Sequence, residues 1–169
     1  MWKSIFILVA ILSPISASCE SSQNESKLGV GLILPLTGPL AEYGHAFQNG
    51  VRLAERESSD ISKNCSFLVE DSKYDSKTAV AAFQKLISTD GVPVIYNWGG
   101  PTSDALAPLA DRKDVALFVW SADPKVAEGR RQVIRFSNSG ADYGGVLAQF
   151  LVRKGYQRVV IVKSENQYI

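Results

Sequence analysis

Leu28-Gly29-Val30-Gly31-Leu32-Ile33-Leu34-Pro35-Leu36-Thr37-Gly38-Pro39-Leu40-Ala41-Glu42-Tyr43-Gly44 is the stretch on which the architecture turns. Its apolar run, Leu28 to Leu34, is short and bounded by Pro35 and Gly38-Pro39, which reads as a buried parallel strand running into a loop. A segment with helical spacing follows. Strand, loop and helix in that order make half of a βαβ unit, and in open α/β sheets the loops at the carboxyl ends of strands form the ligand crevice. Leu36 to Gly44 is therefore the first candidate binding loop, with Tyr43 as its aromatic.

The same alternation continues downstream. Ala46, Phe47, Gly50, Val51 and Ala54 share one helical face, with Arg52, Glu55, Arg56 and Glu57 opposite, over about Glu42 to Glu57. Cys65 to Val69 is a second strand, followed by a polar loop from Glu70 to Ser76. Ala79, Val80, Phe83, Leu86 and Ile87 mark a second helix, capped by Asp75 or Ser76 and ended by Gly91. Val92 to Trp98 is a third strand. Asn97-Trp98-Gly99-Gly100-Pro101-Thr102-Ser103 is a second crevice loop, and Ala105, Leu106, Leu109 and Ala110 form the helix beyond it. Val115 to Val119 is a fourth strand, with Trp120 to Pro124 as its loop. Four strands and three helices at this spacing predict an α/β fold, a doubly wound parallel sheet with right-handed crossovers.

From Lys125 to Arg131 the alternation lapses, and Val133 to Phe136 reads as extended. Val146, Leu147, Phe150 and Leu151 then share a helical face, and Gln157 to Lys163 reads as a further strand. A second α/β unit begins there.

At the other end, Lys3 supplies a positive charge, Ile5 to Leu12 is an unbroken apolar run, and Ser13 to Ser18 is small and polar. Residues 1–18 are predicted to be a secretory signal peptide, since the apolar run is far shorter than the ~20 residues of a membrane-spanning helix. Removing Lys3 with the leader leaves 17 basic against 17 acidic residues. Such neutrality offers nothing to nucleic acid or an anionic membrane. Ser16-Ala17-Ser18-Cys19 resembles a bacterial lipoprotein box, with Ser16 where a Leu-like residue is usual. Residues 19–27 then form a polar tether, and Cys65 stays unpaired. Kept unmodified, Cys19 is open instead to a disulfide with Cys65.

Little here supports catalysis or a metal. His45 is the only histidine and no cysteine or acidic cluster lies at metal-ligand spacing around it, so a zinc site or a Ser-His-Asp arrangement has little to build on, and a Gly-x-Ser-x-Gly elbow is missing. Glu70, Asp71 and Asp75 sit among Lys73 and Lys77, as a solvated turn would place them. Gly29 and Gly31 lie inside a strand without a third glycine, which argues against a dinucleotide fingerprint. Gly99-Gly100 serves either a tight turn or a cradle for an anion, a carboxylate rather than a phosphate. Tyr43 and Trp98, both on crevice-side loops, would wall an apolar pocket.

Leu34-Pro35-Leu36-Thr37-Gly38-Pro39-Leu40-Ala41 with Tyr43-Gly44, then Asn49-Gly50-Val51-Arg52-Leu53-Ala54, resembles the opening of the branched-chain amino-acid-binding proteins of bacterial ABC importers. Glu70-Asp71, Asp75 to Ala79, Gly91-Val92 to Ile95, Ser121-Ala122, Arg135-Phe136 and Asn166-Gln167-Tyr168 agree in order, over nearly all of Leu28 to Ile169. The resemblance implies two α/β lobes hinged about crossing segments, with residues 28–136 in the first lobe and 137–169 leading into the second. It implies no enzyme and no cofactor, an exported protein that is periplasmic or lipid-anchored through Cys19, and a membrane permease as partner. The same module in a receptor would be a sensory domain.

Position by position, the resemblance puts Tyr43 against the ligand's side chain and its carboxylate at Gly99-Gly100. Ser121, Ala122 and Asp123 would meet carboxylate and amine, and Tyr168 would close from the second lobe. Two departures stand out. Gly100 lacks the hydroxyl that amino-acid binders offer, which leaves that role to Thr102 or Ser103, and Asp123 sets a carboxylate where they offer a Thr. Both point away from a plain branched-chain amino acid. Tyr74 and Gly99 occupy positions that carry a disulfide in some members.

Overall fold

The structure, a computed structural model, describes residues 27–162. Five strands, β1 (Leu28–Leu34), β2 (Cys65–Asp71), β3 (Val94–Trp98), β4 (Ala116–Trp120) and β5 (Val133–Arg135), form one parallel sheet in the order β2-β1-β3-β4-β5. Helices α1 (Ala41–Glu57), α2 (Ser59–Asn64), α3 (Ser76–Ser88), α4 (Gly100–Lys113) and α5 (Gly140–Arg153) alternate with them. A 3-10 turn, Pro124–Ala127, precedes β5.

The sheet is doubly wound because the chain leaves β1 toward β2 on one side and returns to β3 on the other. Crossovers of opposite direction lie on opposite faces. Alternate residues of each strand accordingly feed two cores. Ile33, Ile95, Leu117 and Val119 pack with Ala79, Phe83 and Leu86 of α3 and Leu106 and Ala110 of α4. Leu32, Leu34 and Tyr96 face the other way, against Phe47 and Val51 of α1. Burying side chains such as Ile33, Phe83 and Leu86 contributes about 2 kcal/mol each. A Cβ on Gly31 would lie 2.8 Å from Leu86 Cδ1, so that glycine inside β1 makes room for α3.

Several elements differ from the sequence reading. Helix α2 was not foreseen; the Ser58 hydroxyl caps it by accepting from Ile61 N–H at 3.3 Å. β2 runs two residues further, through Glu70 and Asp71, and α4 starts at Gly100 rather than near Ala105. On α1, Ala46 and Gly50 are exposed, which narrows the inward stripe to the half-buried Phe47, Val51 and Ala54 beside the buried Gly44. The extended segment at Val133 adds a fifth strand to the same sheet, pairing Leu117 with Val133 and Val119 with Arg135. Residues 157–162 form no strand, because a parallel strand needs a neighbour for its amides. Val160 and Val162 are about nine-tenths exposed there. α5 forms as expected, with Val146, Leu147 and Phe150 exposed.

Carboxylates hold several helix starts. Asp75 caps α3 through Thr78 N–H, and Asp142 with Ser139 makes a reciprocal capping box on α5. The hydroxyl of Thr78 holds Asp75 below the usual carboxylate range, and the hydroxyl of Ser139 does the same for Asp142. A carboxylate whose folded value is depressed stabilises the fold above its unfolded value, near 4, and loses that contribution as pH falls through the folded value. Urea midpoints are expected to be level from neutral pH down to about 5 and to drop below about 4. An Asp75→Asn variant should start lower and lose less on acidification; equal losses in both proteins would contradict this.

Candidate functional site

All five strands are parallel, so the loops leaving β1, β3 and β4 emerge on one edge of the sheet. The β1 and β3 loops lead to helices on opposite faces, which opens a crevice between them at the topological switch point. Three aromatic rings stand there. Tyr43, on the first turn of α1 and half exposed, stacks on Trp98 at 5.3 Å between centroids and 16° between planes. Tyr74, from the loop after β2, meets the same indole at 5.8 Å and 54°.

Gly99 sits beneath Tyr74. Its φ of +119° suits glycine alone, and a Cβ there would lie 2.5 Å from Tyr74 Cε2. The two positions named for a disulfide in relatives are thus adjacent in space, with a tyrosine ring over a glycine. The Gly99 N–H donates to Trp120 O at 3.1 Å, which ties the β3 loop to β4 and removes that N–H from the crevice. The first amides of α4, those of Gly100 and Thr102, have no carbonyl to meet within the helix.

Thr102 and Ser103 are fully buried, and both hydroxyls donate to Gly99 O, at 3.1 and 2.6 Å. They accept in turn from Asn97 Nδ2, at 2.9 and 2.8 Å. Their hydroxyls therefore hold the turn from within, and the geometry does not present them to the crevice as the sequence reading supposed. Asn97 lies in the second crevice loop read from the sequence, but its role as the donor to both hydroxyls has no sequence signal, since a polar residue ending a strand carries no pattern that marks its partners.

The loop after β4 is also internally bonded. Ser121 is buried, its Oγ accepting from Asp123 N–H at 3.3 Å. Ser121 O accepts from the Ser137 hydroxyl, and Ala122 O from Gly140 N–H at 3.4 Å. The Asp123 carboxylate accepts from Lys125 N–H at 2.9 Å and caps the 3-10 turn.

The polar loop read as a solvated turn is more ordered than expected. Glu70 accepts from Lys85 Nζ, and Asp75 caps α3. Asp71 accepts from three backbone amides and the Thr37 hydroxyl. Burial pushes its carboxyl up, but these bonds, led by that of Thr37, together hold it below the usual range. His45 is exposed on α1. Among the described residues no three His, Cys, Asp or Glu side chains are grouped to hold a metal ion, and no helix is long and apolar enough to cross a membrane. Cys65 is half-buried and a free thiol among the described residues. Cys19, the leader and Tyr168 lie outside the described residues.

The sequence model of the family described as "Periplasmic binding protein" matches residues 27–168. The Leu/Ile/Val-binding protein BraC3 of Rhizobium johnstonii is 29% identical over 152 residues, which are 82% of this chain and 40% of that protein. A solute-binding protein of an ABC transporter from Rhodopseudomonas palustris, solved with 3,4-dihydroxybenzoic acid, superimposes with a TM-score of 0.68. It is 26% identical, over 76% of this chain and 37% of that one. An extracellular ligand-binding receptor from Desulfohalobium retbaense is 29% identical with a TM-score of 0.63, over 75% of this chain and 23% of that one. The chain therefore spans 40% of the length of the curated relative it matches. These likenesses bear out the resemblance read from the sequence.

Proposed function

Because the chain belongs to the periplasmic binding protein family, we propose that it is the extracytoplasmic solute-binding component of an ABC-type importer. The solute is a small carboxylate-bearing compound, an amino acid or a relative of one. Residues 28–136 supply the first wall of the cleft, and residues 137–169 cross toward the second lobe. The observation that carries this reading is the stacked pair Tyr43 and Trp98 beside the Gly99-Gly100 turn, at the switch point of the sheet. An apolar platform next to the first amides of α4, which no helical carbonyl meets, suits a ligand with one planar or branched apolar part and one anionic end. Ser121, Ala122 and Asp123 border it on the β4 side, and Tyr168 comes from the second lobe. Ligand binding favours the closed form by as much as the ligand prefers it.

Relatives support both kinds of solute, since one is named for Leu, Ile and Val and another was solved with an aromatic acid. On this reading residues 1–18 direct export, Cys19 is the point of lipid attachment, and a membrane permease receives the ligand. A sensory role on the same fold is the second reading, favoured by the likeness to an extracellular ligand-binding receptor.

Calorimetric titration of the full-length gene product with leucine, isoleucine, valine, their amides, 4-hydroxybenzoate and 3,4-dihydroxybenzoate tests the reading. At least one compound should bind, and Tyr43→Ala or Trp98→Ala should weaken it about 10- to 100-fold, as loss of a large aromatic contact does. No heat with any of these solutes would remove the proposal.

A further inference from the structure

We propose that Asp71 is the positioning residue of the aromatic platform: one carboxylate, ending the edge strand β2, sets Tyr43 and Tyr74 against Trp98. The inference rests on the solute-capture reading for its bearing on function, and on geometry for the rest. Asp71 Oδ1 accepts from the N–H groups of Leu36 at 2.8 Å, Thr37 at 3.3 Å and Lys73 at 2.8 Å. Its Oδ2 accepts from the Thr37 hydroxyl at 2.6 Å. Leu36 and Thr37 open the loop that ends in α1 and Tyr43, whereas Lys73 immediately precedes Tyr74. Two separate loops thus meet on one side chain, and each carries one of the rings that touch Trp98.

The loop after β1 is not held by its own residues alone. Leu40, at the start of α1, has no side-chain cap, and the loop closes on itself through Ala41 N–H to Gly38 O at 3.2 Å and Tyr43 N–H to Leu40 O at 3.1 Å. Lys73 and Tyr74 have φ of 53° and 57°. Two successive non-glycine residues persist in the left-handed region only where surrounding bonds over-determine them. The bonds from Lys73 N–H to Asp71 and from Tyr74 N–H to Ser72 Oγ, the latter at 3.2 Å, supply that restraint. Asp71 is therefore shared between the two loops, and the separation of 34 and 35 residues between it and Thr37 and Leu36 makes the tie tertiary rather than local.

The side-chain chemistry separates the variants. Asn at this position keeps one carbonyl oxygen for the three amides and turns its NH2 toward the Thr37 oxygen, which can accept. Ala removes every acceptor. Glu70, the preceding residue, bonds to Lys85 and not to either loop, and serves as the control.

The test is fluorine NMR of the full-length gene product labelled with 5-fluorotryptophan, the Trp98 line being assigned by its loss in Trp98→Phe. That line reports the rings stacked on the indole, which overall stability alone does not move. Asp71→Ala should displace it toward its position in a Tyr43→Leu control and weaken binding of whichever panel solute titrates. Asp71→Asn should restore most of both, Thr37→Val should give a smaller displacement of the same sense, and Glu70→Gln should leave the line in place. A folded Asp71→Ala protein with an unmoved Trp98 line overturns the proposal. If Asp71→Ala fails to fold, an unmoved line in Thr37→Val overturns it equally. Should no solute titrate, the capture reading fails while the Trp98 line still decides the role of Asp71.

Discussion

Gly99→Ala is expected to destabilise the protein by about 2–4 kcal/mol and to weaken solute binding about 100-fold. Two costs combine. A side chain at φ +119° is strained whatever space surrounds it, which costs of order 1–3 kcal/mol. The added Cβ would also stand 2.5 Å from the Tyr74 ring and 3.1 Å from Thr102 Oγ1, so the ring must lift or the turn must shift. Either movement disturbs the platform, since Tyr74 lies on Trp98 and the Gly99 carbonyl accepts from both the Thr102 and Ser103 hydroxyls. Urea unfolding gives the stability change and calorimetric titration the affinity. Wild-type affinity in a folded Gly99→Ala protein would show that the turn plays no part in holding the ligand.

Gly44→Ala is expected to destabilise by about 2–4 kcal/mol through overpacking, although alanine is by itself the better helix former by about 1 kcal/mol. A Cβ on Gly44 would lie 2.1 Å from Pro35 O and 2.7 Å from Pro35 C. Both are backbone atoms at the end of β1, and no rotamer change relieves that contact. α1 would have to move off the sheet and take Tyr43, the adjacent residue, with it. Gly50 lies in the same helix with nothing within 4 Å of its would-be Cβ, so Gly50→Ala should stabilise by about 0.5–1 kcal/mol. Thermal unfolding of the two variants is the measurement, and a loss of similar size in both would mean that the Pro35 contact does not govern the difference.

The alternation of strands and helices was legible because each element buries a face, and burial writes a period into the residues. Leu28 to Leu34 and Ala79 to Ile87 were read in that way, and Ile33, Phe83 and Leu86 are fully buried where the pattern placed them. Misreadings gathered where composition and conformation disagree. Glu70 and Asp71 read as loop because they are charged, yet the edge strand carries them through Asp71, where Leu34 is the register partner. Gly99-Gly100 and Pro101 hid the first turn of α4 behind residues that usually interrupt helices. α2 is too short to show a period.

By itself the sequence determined the winding of the chain and the loops that share a rim, because strand direction and crossover order follow from local periodicity and short connections. Only the tertiary structure decided which polar atoms answer one another there. Asp71 reaches back to Leu36 and Thr37, Tyr74 lies over Gly99, and the hydroxyls of Thr102 and Ser103 turn inward to Asn97. Such partnerships join residues far apart in sequence or turn side chains that a linear pattern leaves free. They are selected by the requirement that buried donors and acceptors be satisfied, and that requirement takes a definite form only once the sheet has brought its loops together.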